Sequence, residues 1–501
     1  MMKQTQDKAR NLTMMMDEYE LTMANAYFND PTIDNNTRVS FDVFYRMNPD
    51  GGGFAIFAGL QQVKDYLLNM HFTDEDIEYL RSVGHFTENF LEYLKDFKFT
   101  GDVDAFLEGT IMYPNEPIIT VTAPIIEAQL VETEILAQVN HQSLIATKAS
   151  RIVRAAAGRA VSDFGARRAH NNDAAIYGAR AAYIGGASGT ATVSAGQYFD
   201  IPIGGTMAHS YVMYFTSDDN DYRTSELAAF RSFAKSYPNN CILLVDTYNV
   251  LKSGVPNAIK VFQEMKDAGI ESKSFGIRID SGDLAYLTKK ARKMLDDAGF
   301  TDAKIIVSNS LDEYTITSIL QQGGQVNSFG VGERLITAKS EPVFGAVYKL
   351  CAVTDSKTGQ VIPKIKISET VEKITNPGLK DVYRIKDEHG RAVADLLAIK
   401  GEEVDMSVEG GYKFVDPEQP WKSTHIFENC TAELLQQPLI RGGKQVVEDE
   451  DMQTIRNRVK TQLETSVWPE EQRFENPHKH YLDMTPNYYN MKMDLLRKED
   501  K

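Results

Sequence analysis

CILLVDTYN, residues 241–249, decides the fold. An unbroken apolar run from Cys241 to Val245 ends abruptly in Asp246, Thr247, Tyr248 and Asn249. A short continuous apolar run closed by polar residues reads as a strand buried on both faces. PNAIKVFQEMKDAGI follows at 256–270 with the spacing of an amphipathic helix. The alternation then repeats. SFGIRIDSGD (274–283) leads into LAYLTKKARKMLDDAGF (284–300), AKIIVSNSLDE (303–313) into YTITSILQQGG (314–324), and VNSFGVGERLIT (326–337) closes the series. Apolar strands alternating with amphipathic helices specify parallel βα units. AAYIGG (181–186) and FDIPIGGTMAH (199–209) add two strand-like pieces, for roughly six strands. Either a βα barrel or an open doubly wound sheet satisfies that count.

Outward from this centre the pattern changes. Residues 54–70 and 116–132 each read as a strand running into a helix, and 131–158 as one long helix stopped at Gly158. Beyond about 345, YKLCAVTDSKTGQVIPKIKIS and DVYRIKDEHGRAVADLLAI read as antiparallel hairpins turning at Thr358-Gly359 and His389-Gly390. The charged tail from about 445 reads as helix with a frayed end.

Composition narrows the function. A net charge of −16 opposes general binding to nucleic acid or anionic lipid. No apolar run approaches the roughly 20 residues of a membrane span, and the N-terminal stretch lacks the apolar core of a secretory leader. Cys241, Cys351 and Cys430 are too scattered for a disulfide framework or a CxxC clip, so a reducing cytoplasm is expected. The chain carries no GxxxxGK[ST], no HExxH and no zinc spacing, and GASGT misses the GxSxG elbow.

Each βα unit places its polar residues at the carboxyl end of the strand. They are Asp246, Tyr248 and Asn249; Arg278, Asp280 and Asp283; Ser308, Asn309 and Asp312; and Gly330, Gly332, Glu333 and Arg334. Asp283 and Asp312 also suit helix N-caps. The same bias on four consecutive strands points to a ligand cleft, since both barrels and open sheets build sites there. The glycines of FGVGERL suit a phosphate held on backbone N–H groups. In SDFGARRAH, Phe164 offers a stacking surface and an arginine offers a two-pronged grip on carboxylate or phosphate. GGTMAHSYV (204–212) sets a hydroxyl, Thr206, and an imidazole, His209, behind Gly204-Gly205, though a plain turn into a helix has the same look.

DEYELTMANAYF, ATKASR, FGARRAH, YIGGASGTATVSAG, GGTMAHSYV, LVDTYN, RIDSGDL, VSNSLDE, FGVGERLIT and GAVYKL resemble, in order and spacing, the nicotinate phosphoribosyltransferases, from about residue 12 to 385. The resemblance implies an irregular α/β barrel, an α/β sandwich domain built from N-terminal and post-barrel segments, and a C-terminal extension. The expected division is 1–135 for the N-terminal sandwich part, 136–345 for the barrel, 346–430 for the β-rich segment completing the sandwich, and 431–501 for a helical extension.

The implied reaction joins nicotinate to phosphoribosyl pyrophosphate, giving nicotinate mononucleotide and pyrophosphate for NAD biosynthesis. It is driven by ATP hydrolysis with magnesium, placing a glycosyl transfer in the ligase class. A cytoplasmic homodimer is implied, acting on small molecules only. His209 matches the histidine phosphorylated by ATP. Arg278 matches the arginine that meets the nicotinate carboxylate, and Arg167 a second basic contact. Tyr19 and Phe164 match the rings that sandwich the pyridine, and Gly205 and Thr206 lie where the family contacts the acid. Asp280 would orient Arg278 or stabilise charge developing on the ribose. Gly330, Gly332, Ser308 and Asn309 would line the phosphoribosyl pyrophosphate pocket, and Asp246 is a magnesium-linked candidate.

Two features qualify the match. Where many relatives have GxGT this chain has GVGE, so Glu333 must turn away from a phosphate or be compensated, for example by Arg334. Residues 181–199 contain no Asp or Glu, which favours the acid over nicotinamide. Quinolinate, with a second carboxylate, would need a more basic pocket. A non-catalytic nucleotide-binding barrel would be expected to lack His209 or Arg278, and both are present.

Overall fold

The computed structural model describes residues 10–370, 373–406, 412–415, 421, 423–426 and 429–499. The ends of the first and last expected segments, and parts of 346–430, lie outside the described residues. Two compact units emerge: residues 148–340 form one, and the segments up to 147 and from 341 onward form the other.

The 148–340 unit holds a six-stranded sheet. Its strands are β1 (Ala160–Asp163), β2 (Gly189–Thr190), β3 (Asn240–Leu244), β4 (Ser274–Ile279), β5 (Lys304–Ser308) and β6 (Ser328–Val331). Their order is β2-β1-β6-β5-β4-β3, every pair parallel. This is the parallel half-barrel of an α/β fold. Helices Val255–Asp267, Leu284–Asp297 and Glu313–Gln321 follow β3, β4 and β5 as their spacing requires. Asp283 and Asp312 both cap their helices, accepting from the N–H groups of Tyr286 and Thr315. Registry fixes the site: Arg278 pairs with Leu244 and Ile306, and Ser308 with Gly330, so the polar strand ends converge.

Two sequence expectations fail in this unit. AAYIGG is not a strand but the end of helix Asn172–Ile184, capped by Asn171. Its alanines favour helix, and a four-residue apolar piece does not distinguish the two. In FDIPIGGTMAH, Phe199 ends the helix Val193–Phe199, His209 starts another, and 200–208 between them are loop with a single bridge from Ile203 to Thr190. The strands that complete the six are β1 and β2.

The other unit is built on a seven-stranded sheet ordered Val361–Pro363, Val347–Thr354, Arg38–Phe44, Ile119–Pro124, Asp102–Phe106, Gln436–Arg441, Lys444–Gln445. The hairpins at Gly359 and Gly390 form as read, both glycines at positive φ (71° and 81°). Residues 431–445 are strands rather than helix, because Gln436–Arg441 pairs with Asp102–Phe106 and closes an otherwise open sheet edge. Helices Met452–Thr465 and Pro486–Glu499 follow.

Inside this unit lies a buried charged cluster. Arg384 grips Asp395 through two hydrogen bonds of 2.9 and 2.7 Å. His480 stacks on Tyr113 at 3.6 Å, bonds Glu471 through Nδ1 at 2.9 Å, and brings Nε2 to 3.5 Å from Asp395. Among the described residues no helix is long and apolar enough to cross a membrane.

Candidate active site

The loop 200–208 that brings in His209 follows β2 and the helix Val193–Phe199. Gly204 N–H donates to Thr190 O at 3.0 Å, and a Cβ at Gly204 or Gly205 would meet no atom within 4 Å. The backbone there is open to a ligand. His209 starts the short helix His209–Tyr214. Its Nδ1 lies 3.1 Å from the Thr247 hydroxyl, and its Nε2 lies 3.8 Å from an Asp280 carboxylate oxygen.

Arg278 reaches from β4 to the same loop. It donates to Thr206 Oγ1 at 2.6 Å and to the Met207 carbonyl at 3.0 Å, while its buried Nε has no partner. Burial lowers the guanidinium pKa, opposed by Asp280 and Asp246 and reinforced by Arg167. The group remains a cation with donor capacity to spare. Asp280, immediately past the end of β4, accepts from Ser308 at the end of β5. Asp246 accepts from the Asp280 N–H at 3.0 Å and the Ser281 hydroxyl at 2.6 Å, leaving Oδ1 buried and unpartnered. His209, Thr206, Arg278, Asp280, Ser308 and Asp246 are thus linked across three strand ends.

Phe164 enters from the other side. Its N–H donates to Val331 O at 2.8 Å, and its ring lies where a Cβ at Gly330 would come within 2.5 Å. Gly330 is therefore required first by the ring that packs on it. Glu333 turns to Lys339, 2.7 Å away, with Arg168 at 4.0 Å, and the Lys339 ammonium lowers its pKa. Arg334 is engaged by Asp312. Asn309 and Ser310 both adopt positive φ (93° and 48°), a strained turn at the end of β5. Arg167 is exposed on the short turn Ala166–Arg168.

Tyr19 belongs to the other unit, 44% exposed on helix Glu18–Asn29. Among the described residues no group of three or more His, Cys, Asp or Glu side chains is arranged to hold a metal.

Sequence reasoning passed over Thr247, Ser281 and Lys339. Thr247 had a signal, since it sits inside the polar strand end whose other members were singled out. Lys339 had none, because its partner depends on how the turn after Gly332 folds.

Comparison with known proteins agrees with this architecture along the chain. Family profiles match residues 14–140 (nicotinate phosphoribosyltransferase N-terminal domain), 159–389 (nicotinate phosphoribosyltransferase family) and 379–492 (C-terminal domain). The nicotinate phosphoribosyltransferase of Bacillus subtilis (strain 168) is 40% identical over 490 residues, covering 98% of this chain and 96% of that one. Nicotinate phosphoribosyltransferase pncB2 of Mycobacterium tuberculosis is 42% identical over 389 residues, covering 78% and 79%. The crystal structure of human nicotinic acid phosphoribosyltransferase superimposes with a TM-score of 0.82 at 26% identity, over 96% of this chain and all of that one. The fold is that of an α/β enzyme with a parallel half-barrel. The chain belongs to the nicotinate phosphoribosyltransferase family.

Proposed function

We propose that this chain joins nicotinate to phosphoribosyl pyrophosphate at the strand-end site, releasing pyrophosphate and nicotinate mononucleotide for NAD biosynthesis. The observation that carries the reading is Arg278, whose cation is fixed by Thr206 and the Met207 carbonyl with a buried Nε left over, beside His209 and Asp280. A planar guanidinium suits the nicotinate carboxylate. Phe164 supplies a stacking surface for the pyridine, Arg167 a second positive charge, and Gly205 and Thr206 the open backbone against which the acid rests.

In the transfer, the pyridine nitrogen forms a bond to the ribose anomeric carbon while the bond to pyrophosphate oxygen breaks. Asp280 faces the positive charge that develops on the ribose. Ser308, Asn309, Gly330 and Gly332 line the phosphoribosyl side, with Glu333 held off by Lys339. ATP drives the reaction through His209, a half-exposed imidazole able to take the γ-phosphoryl group.

Magnesium fits the oxygen donors in outline. The unpartnered Oδ1 of Asp246 would hold it together with substrate phosphate oxygens, as this ion prefers few protein ligands. Bound there, it would screen the charge of the departing pyrophosphate. The active form is a cytoplasmic homodimer.

A product assay tests this reading. Nicotinate mononucleotide and ADP are measured with nicotinate, nicotinamide or quinolinate, with and without ATP, for wild type and His209→Ala. Nicotinate product stimulated by ATP in wild type alone is expected. Product from nicotinamide instead would overturn the acid assignment.

A further inference from the structure

Asp163 ends β1, and Phe164 follows it directly. The Asp163 side chain is buried and accepts two hydrogen bonds. Oδ1 takes the N–H of Gly165 at 2.8 Å, a local turn that fixes how the chain leaves the strand. Oδ2 takes the hydroxyl of Thr190, at the end of β2, at 2.7 Å. Burial raises the pKa of this carboxyl, and the two bonds oppose the rise. The Thr190 oxygen also accepts from the Thr192 N–H at 2.9 Å, which leaves the hydroxyl proton for Asp163.

Each partner leads into a different part of the nicotinate site. Gly165 O accepts from Arg168 N–H at 2.7 Å, so the turn that Asp163 holds carries both Phe164 and Arg167. Thr190 N–H donates to Pro202 O, and Thr190 O accepts from Gly204 N–H, each at 3.0 Å. Thr190 thereby anchors the loop that continues through Thr206 to His209. The side-chain bond, with a backbone bond from Ala191 N–H to Asp163 O at 2.8 Å beside it, ties the two segments where each leaves its strand. We propose that Asp163 and Thr190 are a positioning pair, which keeps the Phe164 turn in register with the Thr206 loop so that nicotinate meets both at once. This rests on the nicotinate reading above. The pair acts on the base rather than on the phosphoribosyl group, whose contacts lie at the ends of β5 and β6.

The test uses the full chain as wild type, Thr190→Val, Thr190→Cys and Thr190→Ser, in steady-state assays with each substrate varied in turn. Thr190→Val keeps the shape and leaves Asp163 without its second donor. It is expected to raise KM for nicotinate about tenfold, with KM for phosphoribosyl pyrophosphate within about twofold, and Thr190→Ser restores wild-type values. Thr190→Cys, a weaker donor of similar size, falls between them and carries the comparison if Thr190→Val does not fold. Equal rises for both substrates, an unchanged KM for nicotinate, or a Thr190→Ser that behaves like Thr190→Val overturns the proposal, since a loss of stability alone favours neither substrate. Hydrogen exchange gives a reading independent of activity. Segments 163–168 and 200–208 are expected to exchange faster together in the Val and Cys variants, with β3 to β5 unchanged. Unchanged exchange in either segment overturns the pair. If wild type makes no mononucleotide from nicotinate, the functional reading falls separately, and the exchange still decides whether the pair holds the two segments.

Discussion

Arg278 on β4 donates to the hydroxyl of Thr206 at 2.6 Å, joining the strand end to the loop that carries His209. The sequence distance between them is large, and this one contact makes the position of the histidine loop depend on the arginine. A neighbouring bond to the Met207 carbonyl fixes the plane of the guanidinium.

Replacing Arg278 with lysine keeps the charge and removes the planar fork. The expected result is a fall of about 10- to 100-fold in kcat/KM for nicotinate, carried mostly by KM, from the loss of a charged hydrogen-bonded pair. Steady-state kinetics at saturating phosphoribosyl pyrophosphate measure it. An unchanged KM would mean that the acid binds elsewhere.

Gly330→Ala drives a methyl into the Phe164 ring, which cannot stay where it is with a Cβ at 2.5 Å. Overpacking of this kind costs about 1–3 kcal/mol, read as a lowered denaturant midpoint. Displacing the ring should also weaken nicotinate binding. A Phe164→Leu, Gly330→Ala double variant is expected to recover part of the stability but not the binding.

The buried His480 makes stability depend on pH. Burial opposes its charged form, but the carboxylates of Asp395 and Glu471 outweigh it and raise its pKa. A raised folded pKa means the folded chain holds the proton more tightly. The contribution is therefore full below the unfolded value of about 6.5 and is lost as pH rises through the folded value. Burial and the Asp395 charge also push the Glu116 pKa up, which acts in the same direction. Arg384 stays charged, and Asp395 is pulled below the usual carboxylate range despite its burial, so its contribution is lost only on strong acidification. Urea midpoints should fall from about pH 6.5 upward in wild type and fall less in His480→Gln. Parallel curves for the two proteins would remove His480 from the account.

Much of this was legible because the physics was local. The strands β3 to β6 announce themselves as apolar runs stopped by polar residues, and Arg278 and Asp280 share a site by strand alternation. AAYIGG was misleading because four apolar residues before two glycines satisfy both a strand and the last turns of a helix. The second demand on Gly330, room for the Phe164 ring, was invisible because Phe164 lies on a strand end distant in sequence. Glu333 was an open question until the following turn brought Lys339 within 2.7 Å. Thr247 was hidden among louder neighbours, and only the folded loop shows which of the four faces the histidine.

The most direct test of the central claim is mononucleotide formation by wild type and Arg278→Ala, each offered nicotinate and nicotinamide in equimolar competition with phosphoribosyl pyrophosphate, ATP and magnesium. Nicotinate mononucleotide is the expected main wild-type product, with that preference lost in the variant. Equal use of both bases by wild type, or an unchanged preference in Arg278→Ala, would contradict it.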